Sequence, residues 1–482
     1  MTDVFKNKKE KDKNMEWKEL LSEKRIREFY KTTTGRDLRT EFEKDYHRII
    51  GSASFRRLQD KTQVFPLDKS DYIRTRLTHS LEVSSFAKSL AQNVGEKLIK
   101  ENKDKYFGAR QKEDIGAILQ CAGLIHDIGN PPFGHVGETC IQDWFKENLE
   151  QKTFFNEKIT DILSSQMIED FYHFEGNTQA LRVVTKLHFL VDEHGMNLTE
   201  ALLGTIIKYP CSSLESGKNK ELLTCKKMGY FYADQETYQE IENTLHTEGK
   251  RHPLTFLLEA ADDIAYKTAD IEDAVKKGCI TYQQLLNELE KEADNNNSLY
   301  QSVINILEHK YEKAIKAGYE EPDVYAVQNW VVSIQGNMLF AASDSFVTHY
   351  DEIMQGTYHH DLFYGTEAEK IMNMLGDIAY RYVFTTHPIY KLEIAAQTIF
   401  YFLMDHFTDA VIYYDTQKKL TAVQNKLVSL ISQDYKRIYH TYSKGKDEAE
   451  KLYLRLLLVT DFICGMTDSY AKNLYQELNG IQ

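Results

Sequence analysis

The stretch from Leu124 to Glu138 reads LIHDIGNPPFGHVGE, and it carries both a fold signal and a set of reactive groups. The apolar run that leads into it predicts a helix over residues 115–128, with His126 and Asp127 near its end. A Gly-Asn-Pro-Pro turn follows, and His135 and Glu138 then stand about one helical turn apart. Four groups that can bind a metal ion or move a proton lie close together, so this stretch predicts half of a metal-dependent hydrolytic site.

The rest of the chain also favours helices. Of its 482 residues, 42% are hydrophobic, 27% are charged and only seven are proline. Long runs rich in Leu, Glu, Lys and Ala, with few alternating Val, Ile and Thr segments, predict an all-α protein. Residues 1–14 are polar and charged, and we expect them to form a disordered tail.

Charge and cysteine content exclude several classes of protein. A formal net charge of -14 argues against broad affinity for nucleic acid, although a local basic pocket could still hold an anionic ligand. The six cysteines form no CxxC pair, which excludes zinc-ribbon and disulfide frameworks. The charged residues 1–14 are not followed by an apolar region, and no uninterrupted apolar run of about 18 residues occurs, so we expect a cytoplasmic protein that is neither secreted nor membrane-spanning.

His126 and Asp127 need further ligands to hold a divalent ion, and we expect these on rigid helices elsewhere in the chain. His79 offers one imidazole near the start of a helix predicted over residues 74–100. Nitrogen and oxygen donors suit Mn, Fe, Zn, Ni or Mg rather than a metal that selects thiolates.

The segment around Asp262 offers the remaining carboxylate. At about 100° per residue, Asp262, Tyr266 and Asp270 share one face of a helix, whereas Asp263 points away from it. We therefore expect Asp262 to complete the ligand set. Two neutral imidazoles and two carboxylates cancel the double charge of the ion and leave positions open for a phosphate oxygen and a water.

Seven sequence blocks occur in an order that resembles the deoxyguanosinetriphosphate triphosphohydrolase family of the HD-domain phosphohydrolase superfamily. The blocks are KTQVFP, RTRLTHSLEV, HDIGNPPFGHVGE, FEGNTQALR, KYP, EAADDIAYKTADIEDA and DFICGMTDSYA, and they extend the resemblance over about residues 36–472. The resemblance implies an HD-domain catalytic core over residues 15–280. It also implies that additional C-terminal helices over residues 281–482 pack on this core and contribute to the nucleotide pocket and to oligomer contacts.

The resemblance further implies a role for particular residues. The implied metal ligands are His79, His126, Asp127 and Asp262, for a divalent ion that we expect to be Mg or Mn, with Fe, Zn or Ni as alternatives. The implied catalytic pair is His135 and Glu138. The implied substrate-binding residues are Gln63 and Val64 near the sugar and base, Tyr266 and Asp270 at the deoxyribose, and Arg76, Lys208 and Arg182 at the triphosphate. Asn130 stands where the family often has a histidine, and an amide cannot carry a proton at neutral pH.

The expected activity is metal-dependent hydrolysis of deoxynucleoside triphosphates, dGTP favoured, to deoxynucleoside and inorganic triphosphate by attack of water on the α-phosphorus. One alternative is an HD-type phosphodiesterase or nucleotidase that acts on another nucleotide. Another is a nucleotide-sensing or single-stranded-DNA-binding oligomer with secondary hydrolysis. The expected partners are the nucleotide substrate and further copies of the chain in a homo-oligomer, with a nucleotide activator and weak binding of single-stranded DNA left open.

Overall fold

The computed structural model describes residues 14–27, 37–64, 73–188, 192–218, 223–293 and 298–481. The tail expected to be disordered, residues 1–14, lies outside these ranges apart from Asn14. The last two residues of the KTQVFP block also lie outside them.

Helix starts are marked by capping residues in the sequence. Thr40 accepts a hydrogen bond from the Glu43 amide, and the Glu43 carboxylate accepts one from the Thr40 amide, which forms a capping box. Asp447 and Glu450 form the same arrangement at the start of a C-terminal helix. Such caps satisfy amide groups that have no partner inside the helix.

In chain order, the helices of the first half are α1 (Trp17–Leu20), α2 (Glu41–Ile50), α3 (Ala53–Arg57), α4 (Arg76–Glu101), α5 (Ala109–Ile125), α6 (His135–Asn148), α7 (Ile159–Ile162), α8 (Ser165–Tyr172), α9 (Gly176–Arg182), α10 (Glu200–Ile206) and α11 (Gln235–Leu245). Those of the second half are α12 (Pro253–Lys276), α13 (Tyr282–Ala293), α14 (Ser298–Ala317), α15 (Pro322–Thr348), α16 (Tyr350–Gln355), α17 (Glu367–Ala379), α18 (His387–Val411), α19 (Ala422–Leu430), α20 (Gln433–Tyr442), α21 (Glu448–Cys464) and α22 (Asp468–Leu478).

Strands are limited, in the described residues, to one two-stranded antiparallel ribbon of β1 (Thr153–Phe154) and β2 (Glu157–Lys158). Short 3-10 helices occupy Leu58–Asp60, Leu149–Gln151, Leu223–Cys225 and Tyr232–Asp234, and π-helices occupy Val183–Leu187 and Tyr380–Phe384. The prediction of an all-α protein is confirmed. In the described part of the chain, no helix combines the length and the apolarity needed to cross a bilayer.

Buried apolar side chains form two cores. The first surrounds α4, α5, α12 and α15 and includes Leu119, Leu258 and Trp330. The second surrounds α6, α18 and α21 and includes Trp144 and Phe400. Helices α13 to α17 belong to the first core and α18 to α22 to the second, so the C-terminal third of the chain packs on both sides of the region between them.

The turn between α5 and α6 sets the direction of the chain through that region. Helix α5 ends at Ile125, so His126 and Asp127 lie in the turn and not within the helix as predicted. Gly134 has a φ of 61°, and a Cβ there would lie 2.4 Å from Nη2 of Arg76. Only glycine fits this left-handed position against an arginine, and α6 begins at the next residue.

Candidate active site

A cavity of about 580 Å³ opens between the two cores. Its polar wall includes Thr62, Gln63, Arg76, Asp127, Asn130, His135, Glu138, Asn177, Lys208, Tyr209, Lys226, Lys227, Asp262, Asp263 and Tyr266. Its apolar wall comes largely from the C-terminal third of the chain, through Tyr380, Phe384, Ile389 and Leu392. This volume is typical of a site for a small-molecule ligand.

Three side chains converge at one edge of the cavity, where Asp262 lines the wall and His79 and His126 lie behind it. His79 Nε2 lies 3.1 Å from Asp262 Oδ1, and His126 Nε2 lies 3.4 Å from the same oxygen. His126 Nδ1 lies 2.8 Å from the carbonyl oxygen of Gly123 and donates to it, so the lone pair of Nε2 faces Asp262. The donor atoms of these three residues all lie within 4.8 Å of one another.

This arrangement fits a divalent ion. Adjacent ligands of an octahedral ion with bonds of about 2.1 Å lie about 3 Å apart, close to the distances from Asp262 Oδ1 to the two imidazoles. His126 Nε2 is buried and has no hydrogen-bond partner among the described residues, which is the state expected of a nitrogen that binds a metal. Three of the four predicted ligands therefore meet as expected.

Asp127, the fourth predicted ligand, borders this set. Its Oδ1 lies 3.5 Å from His126 Nε2 and accepts a hydrogen bond of 2.7 Å from the Asn130 side-chain amide. Its Oδ2 forms an ion pair with Arg76. Burial opposes ionisation, but His126 and Arg76 outweigh burial and hold the pKa of Asp127 far below its usual range. The carboxylate is thus held ionised beside the imidazoles.

Asp262 is also held in its ionised form. Burial would raise the pKa of Asp262, but Lys208, at 3.2 Å from Oδ2, and the two imidazoles reverse that effect. The pKa of Lys208 is raised in turn, because Asp262 more than offsets the cost of burying the ammonium group. A cation and a candidate metal ligand therefore share one wall.

His135 and Glu138 form a second polar centre in the wall of the same cavity. His135 Nδ1 donates to Glu138 Oε2 at 2.7 Å, which leaves Nε2 free to face the cavity. This hydrogen bond raises the pKa of His135 above its ordinary value. The other oxygen of Glu138 accepts a hydrogen bond of 2.7 Å from the amide of Gly176, where α9 begins. The imidazole is therefore oriented by a carboxylate that is itself fixed.

A second carboxylate lies behind this pair. Burial and the nearby charge of Glu138 raise the pKa of Glu175 to about 7, while its ion pair with Lys227 has the opposite, smaller effect. The Lys227 ammonium lies 2.8 Å from Glu175 Oε1, and Lys227 lines the cavity. Neither Lys227 nor its neighbour Lys226 was predicted as a site residue. Two adjacent lysines in a polar loop were the signal that could have marked them.

The residues that the resemblance implies at the sugar and base differ in whether they line the cavity. Gln63, Val64 and Tyr266 line the cavity, and Gln63 Oε1 is buried without a hydrogen-bond partner among the described residues. Asp270 is 2% exposed, does not belong to the described cavity wall, and instead accepts a hydrogen bond from the Tyr266 hydroxyl. Of the two residues predicted at the deoxyribose, Tyr266 thus lies at the cavity and Asp270 lies behind it.

Arg182, which was predicted to hold the triphosphate, is paired with carboxylates. Its Nε and Nη2 donate to the two oxygens of Asp461 at 2.8 and 2.7 Å, and its Nη1 lies 3.3 Å from Asp234. The side chain is 4% exposed and is absent from the described cavity wall. Because the guanidinium is used by two buried carboxylates, Arg182 holds α9 to the C-terminal helices.

Asp263 does not point away from the site as predicted. It lines the same cavity as Asp262 and Tyr266, because the cavity is wide enough to meet two adjacent positions of α12 about 100° apart. Burial, together with the charges of Glu259 and Asp262, raises the pKa of Asp263 to about 7. A carboxyl that is easily protonated therefore stands next to a predicted ligand.

Comparison with known proteins connects this geometry to a family. The HD domain family model matches residues 76–209, which contain His79, His126 and Asp127. A deoxyguanosinetriphosphate triphosphohydrolase-like protein from Listeria monocytogenes serovar 1/2a is 49% identical over 471 residues, covering 97% of this chain and all of the relative. The chain belongs to the deoxyguanosinetriphosphate triphosphohydrolase family of HD-domain proteins. It is a hydrolase.

More distant members of the family also match along nearly the whole chain. A Synechocystis deoxyguanosinetriphosphate triphosphohydrolase-like protein is 33% identical over 481 residues, covering 97% of this chain and all of the relative. The deoxyguanosinetriphosphate triphosphohydrolase of Yersinia enterocolitica is 30% identical over 478 residues, covering 91% of this chain and 93% of the relative. HD domains are metal-dependent phosphohydrolases, in keeping with the three converging ligands found here.

Proposed function

We propose that this family member hydrolyses deoxynucleoside triphosphates, with dGTP favoured, to the deoxynucleoside and inorganic triphosphate. The observation that carries the proposal is that one cavity is lined by Asp262 of the candidate metal site, by an oriented His135–Glu138 pair and by several cations. The names of the Yersinia relatives support dGTP as the favoured substrate.

The triphosphate would be held by side chains and a metal ion, since the sequence has no P-loop. Arg76, Lys208 and Lys227 line the cavity, and each retains N–H groups beyond the one that pairs with a carboxylate. Arg76 Nε has no hydrogen-bond partner among the described residues. These three cations would supply N–H donors that a polyphosphate chain can bridge.

His79, His126, Asp127 and Asp262 would hold a divalent ion, which we propose is Mg²⁺ or Mn²⁺. When bound, such an ion polarises a phosphate oxygen and lowers the pKa of water. The ionised carboxylates and the orientation of His126 prepare these residues for that ion. Asn130 takes part by orienting Asp127 through its amide, a role that needs no titratable proton.

His135 would act as the general acid. Attack of water on the α-phosphorus breaks its bond to the 5′ oxygen, and the departing oxygen takes a proton from Nε2 of the imidazolium. Glu138 favours this form by accepting the hydrogen bond from Nδ1. The attacking water leaves its oxygen on the triphosphate and, over the whole cycle, releases a proton that balances the one given to the deoxynucleoside.

The sugar and base would occupy the other end of the cavity. Tyr266 would pack on the deoxyribose and exclude a 2′-hydroxyl, and Gln63 Oε1 offers an acceptor for the 3′-hydroxyl. Val64 and the apolar side chains of Tyr380, Phe384 and Ile389 offer a surface for the base. Part of the nucleotide pocket would thus come from the C-terminal region, in line with the expected division at residue 280.

The test is a product analysis. The purified protein is incubated with each dNTP and NTP, singly and in pairs, with Mg²⁺ or Mn²⁺, and the products are resolved by ion-exchange chromatography. We expect deoxyguanosine and triphosphate in equal amounts from dGTP, and little product from GTP. Release of orthophosphate or diphosphate alone would overturn the proposal and favour a phosphodiesterase or nucleotidase. The paired incubations detect a nucleotide activator.

A further inference from the structure

One wall of the cavity is built from two segments that are far apart in sequence. Residues 61–64 carry Gln63 and Val64, and residues 126–135 carry the turn with Asp127 and His135. Residues 464–469 form a corner from the end of α21 to the start of α22, and this corner contacts both segments. We call it the C-terminal corner.

Asp468 in the C-terminal corner joins the two segments directly. Its Oδ2 accepts hydrogen bonds from the amide and the hydroxyl of Thr62, at 3.0 and 2.6 Å. Its Oδ1 accepts one from the amide of Phe133, at 2.9 Å. The residue is 1% exposed and does not belong to the described cavity wall. One buried carboxylate thus uses a different oxygen for each segment.

Lys61 makes the same connection from the opposite side. Its ammonium donates to the carbonyl oxygens of Asn130 and Cys464, both at 2.6 Å, and the residue is 3% exposed. A third contact joins Ser469 Oγ to Asp60 Oδ1 at 2.9 Å. Buried polar groups that each hydrogen-bond to two segments hold those segments in one geometry.

We propose that Asp468 and Lys61 are positioning residues that fix Gln63 and Val64 relative to the phosphate-binding wall and thereby set selectivity for the sugar. This inference rests on the proposed function, because it assumes that Gln63 meets the 3′-hydroxyl. An amide acceptor on a short segment can discriminate between sugars only if that segment is held still. A displacement of about 1 Å in a positioning group can reduce a rate about 100-fold.

The test compares Asp468→Asn, Thr62→Val and the double variant. Asparagine has one acceptor oxygen where aspartate has two, so it can serve only one of the two segments. Valine removes only the Thr62 hydroxyl. For dGTP we expect Asp468→Asn to raise KM about tenfold with kcat changed less than about twofold, the size of one lost hydrogen bond. Its preference for dGTP over 2′,3′-dideoxyguanosine triphosphate should fall by about the same factor.

Two further readouts separate positioning from a general loss of structure. Mn²⁺ affinity, measured by calorimetry, should equal that of the wild type, because the metal-binding residues are untouched. The double variant should show a smaller effect on sugar preference than the product of the two single effects, as contacting residues do. Asp405→Asn is the matched control: its Oδ1 accepts from Trp144 Nε1 at 2.9 Å, in the second core, away from both segments. It should keep the wild-type sugar preference.

The results that would contradict the positioning role differ from those that would contradict the proposed function. Absence of triphosphate release by the wild type would defeat the proposed function itself. Normal release by the wild type, with an Asp468→Asn variant that melts earlier but keeps KM and sugar preference, would overturn the positioning role alone. If Asp468→Asn does not fold, Thr62→Val must still lower the sugar preference, and an unchanged preference would overturn the inference.

Discussion

His126 and His135 lie nine residues apart between Leu124 and Glu138, yet their side chains differ in exposure and in hydrogen-bond partner. The side chain of His126 is 1% exposed and that of His135 is 78% exposed. The first has its Nδ1 tied to a backbone carbonyl, and the second has its Nδ1 tied to a carboxylate. A metal ligand must keep its lone pair still, whereas an acid must exchange its proton with water and substrate. Exposure and hydrogen-bond partner, not residue type, therefore distinguish the two proposed roles.

The largest effect that follows from this contrast is expected for His126→Ala. Removing one of three converging donors should abolish Mn²⁺ binding and lower triphosphate release by about 1000-fold or more. Calorimetry with Mn²⁺ and product chromatography measure the two effects. His252→Ala is a control, since this histidine is 2% exposed but does not belong to the set of converging donors. Unchanged turnover in His126→Ala would contradict the assignment of this cluster as the metal site.

His135→Gln should fail in a different way. Mn²⁺ affinity should remain as in the wild type, while kcat falls by about 10² to 10⁴, the usual contribution of a general acid. An aryl triphosphate, whose phenolate leaves without protonation, should lose far less than dGTP. Equal losses for both substrates would show that His135 does not protonate the leaving group.

Asn130→Ala should weaken metal binding without changing the His135–Glu138 pair. Its amide orients Asp127, and loss of such a supporting partner typically costs about 10- to 100-fold in metal affinity. The comparison variant is Asn148→Ala, which removes an amide that donates to a backbone carbonyl on α6. Mn²⁺ titration measures both variants, and equal affinities would rule out an orienting role for Asn130.

The smallest change in maximal rate is expected for Glu138→Gln, where the effect falls on pH dependence. The hydrogen bond to Glu138 raises the pKa of His135, so the acid form persists to higher pH in the wild type. Without the carboxylate that pKa falls, and the alkaline limb of the kcat/KM profile should move to lower pH. Glu169→Gln, which removes the partner of His173, should leave the profile in place. If the alkaline limb of Glu138→Gln lies at the same pH as that of the wild type, Glu138 does not raise the pKa of His135.

Much of this site follows from local rules. His79 could be chosen from the sequence as an imidazole near the start of a predicted helix, and Asp262 because it shares a helical face with Tyr266; both converge with His126. The His135–Glu138 pair could be recognised for the same reason, since a separation of three residues on a helix brings the side chains together.

The remainder depends on contacts that no local pattern contains. Arg182 resembles a phosphate ligand in sequence, but its partner Asp461 lies 279 residues further along the chain. Asp468 similarly meets Thr62 across 406 residues. The role of Asp263 depends on the width of a cavity, which helical spacing alone does not determine. Such pairings arise only when the C-terminal helices pack on the core.

The proposed mechanism is attack of water on the α-phosphorus with protonation of the 5′ oxygen. It is tested most directly by hydrolysing dGTP in water enriched in ¹⁸O and locating the label by mass spectrometry. Attack on the α-phosphorus with protonation of the 5′ oxygen places one ¹⁸O in triphosphate and none in deoxyguanosine. Label in the 5′-hydroxyl of deoxyguanosine would mean that water attacks carbon. Label in released orthophosphate or diphosphate would mean that another phosphorus reacts, and either result would contradict the proposed mechanism.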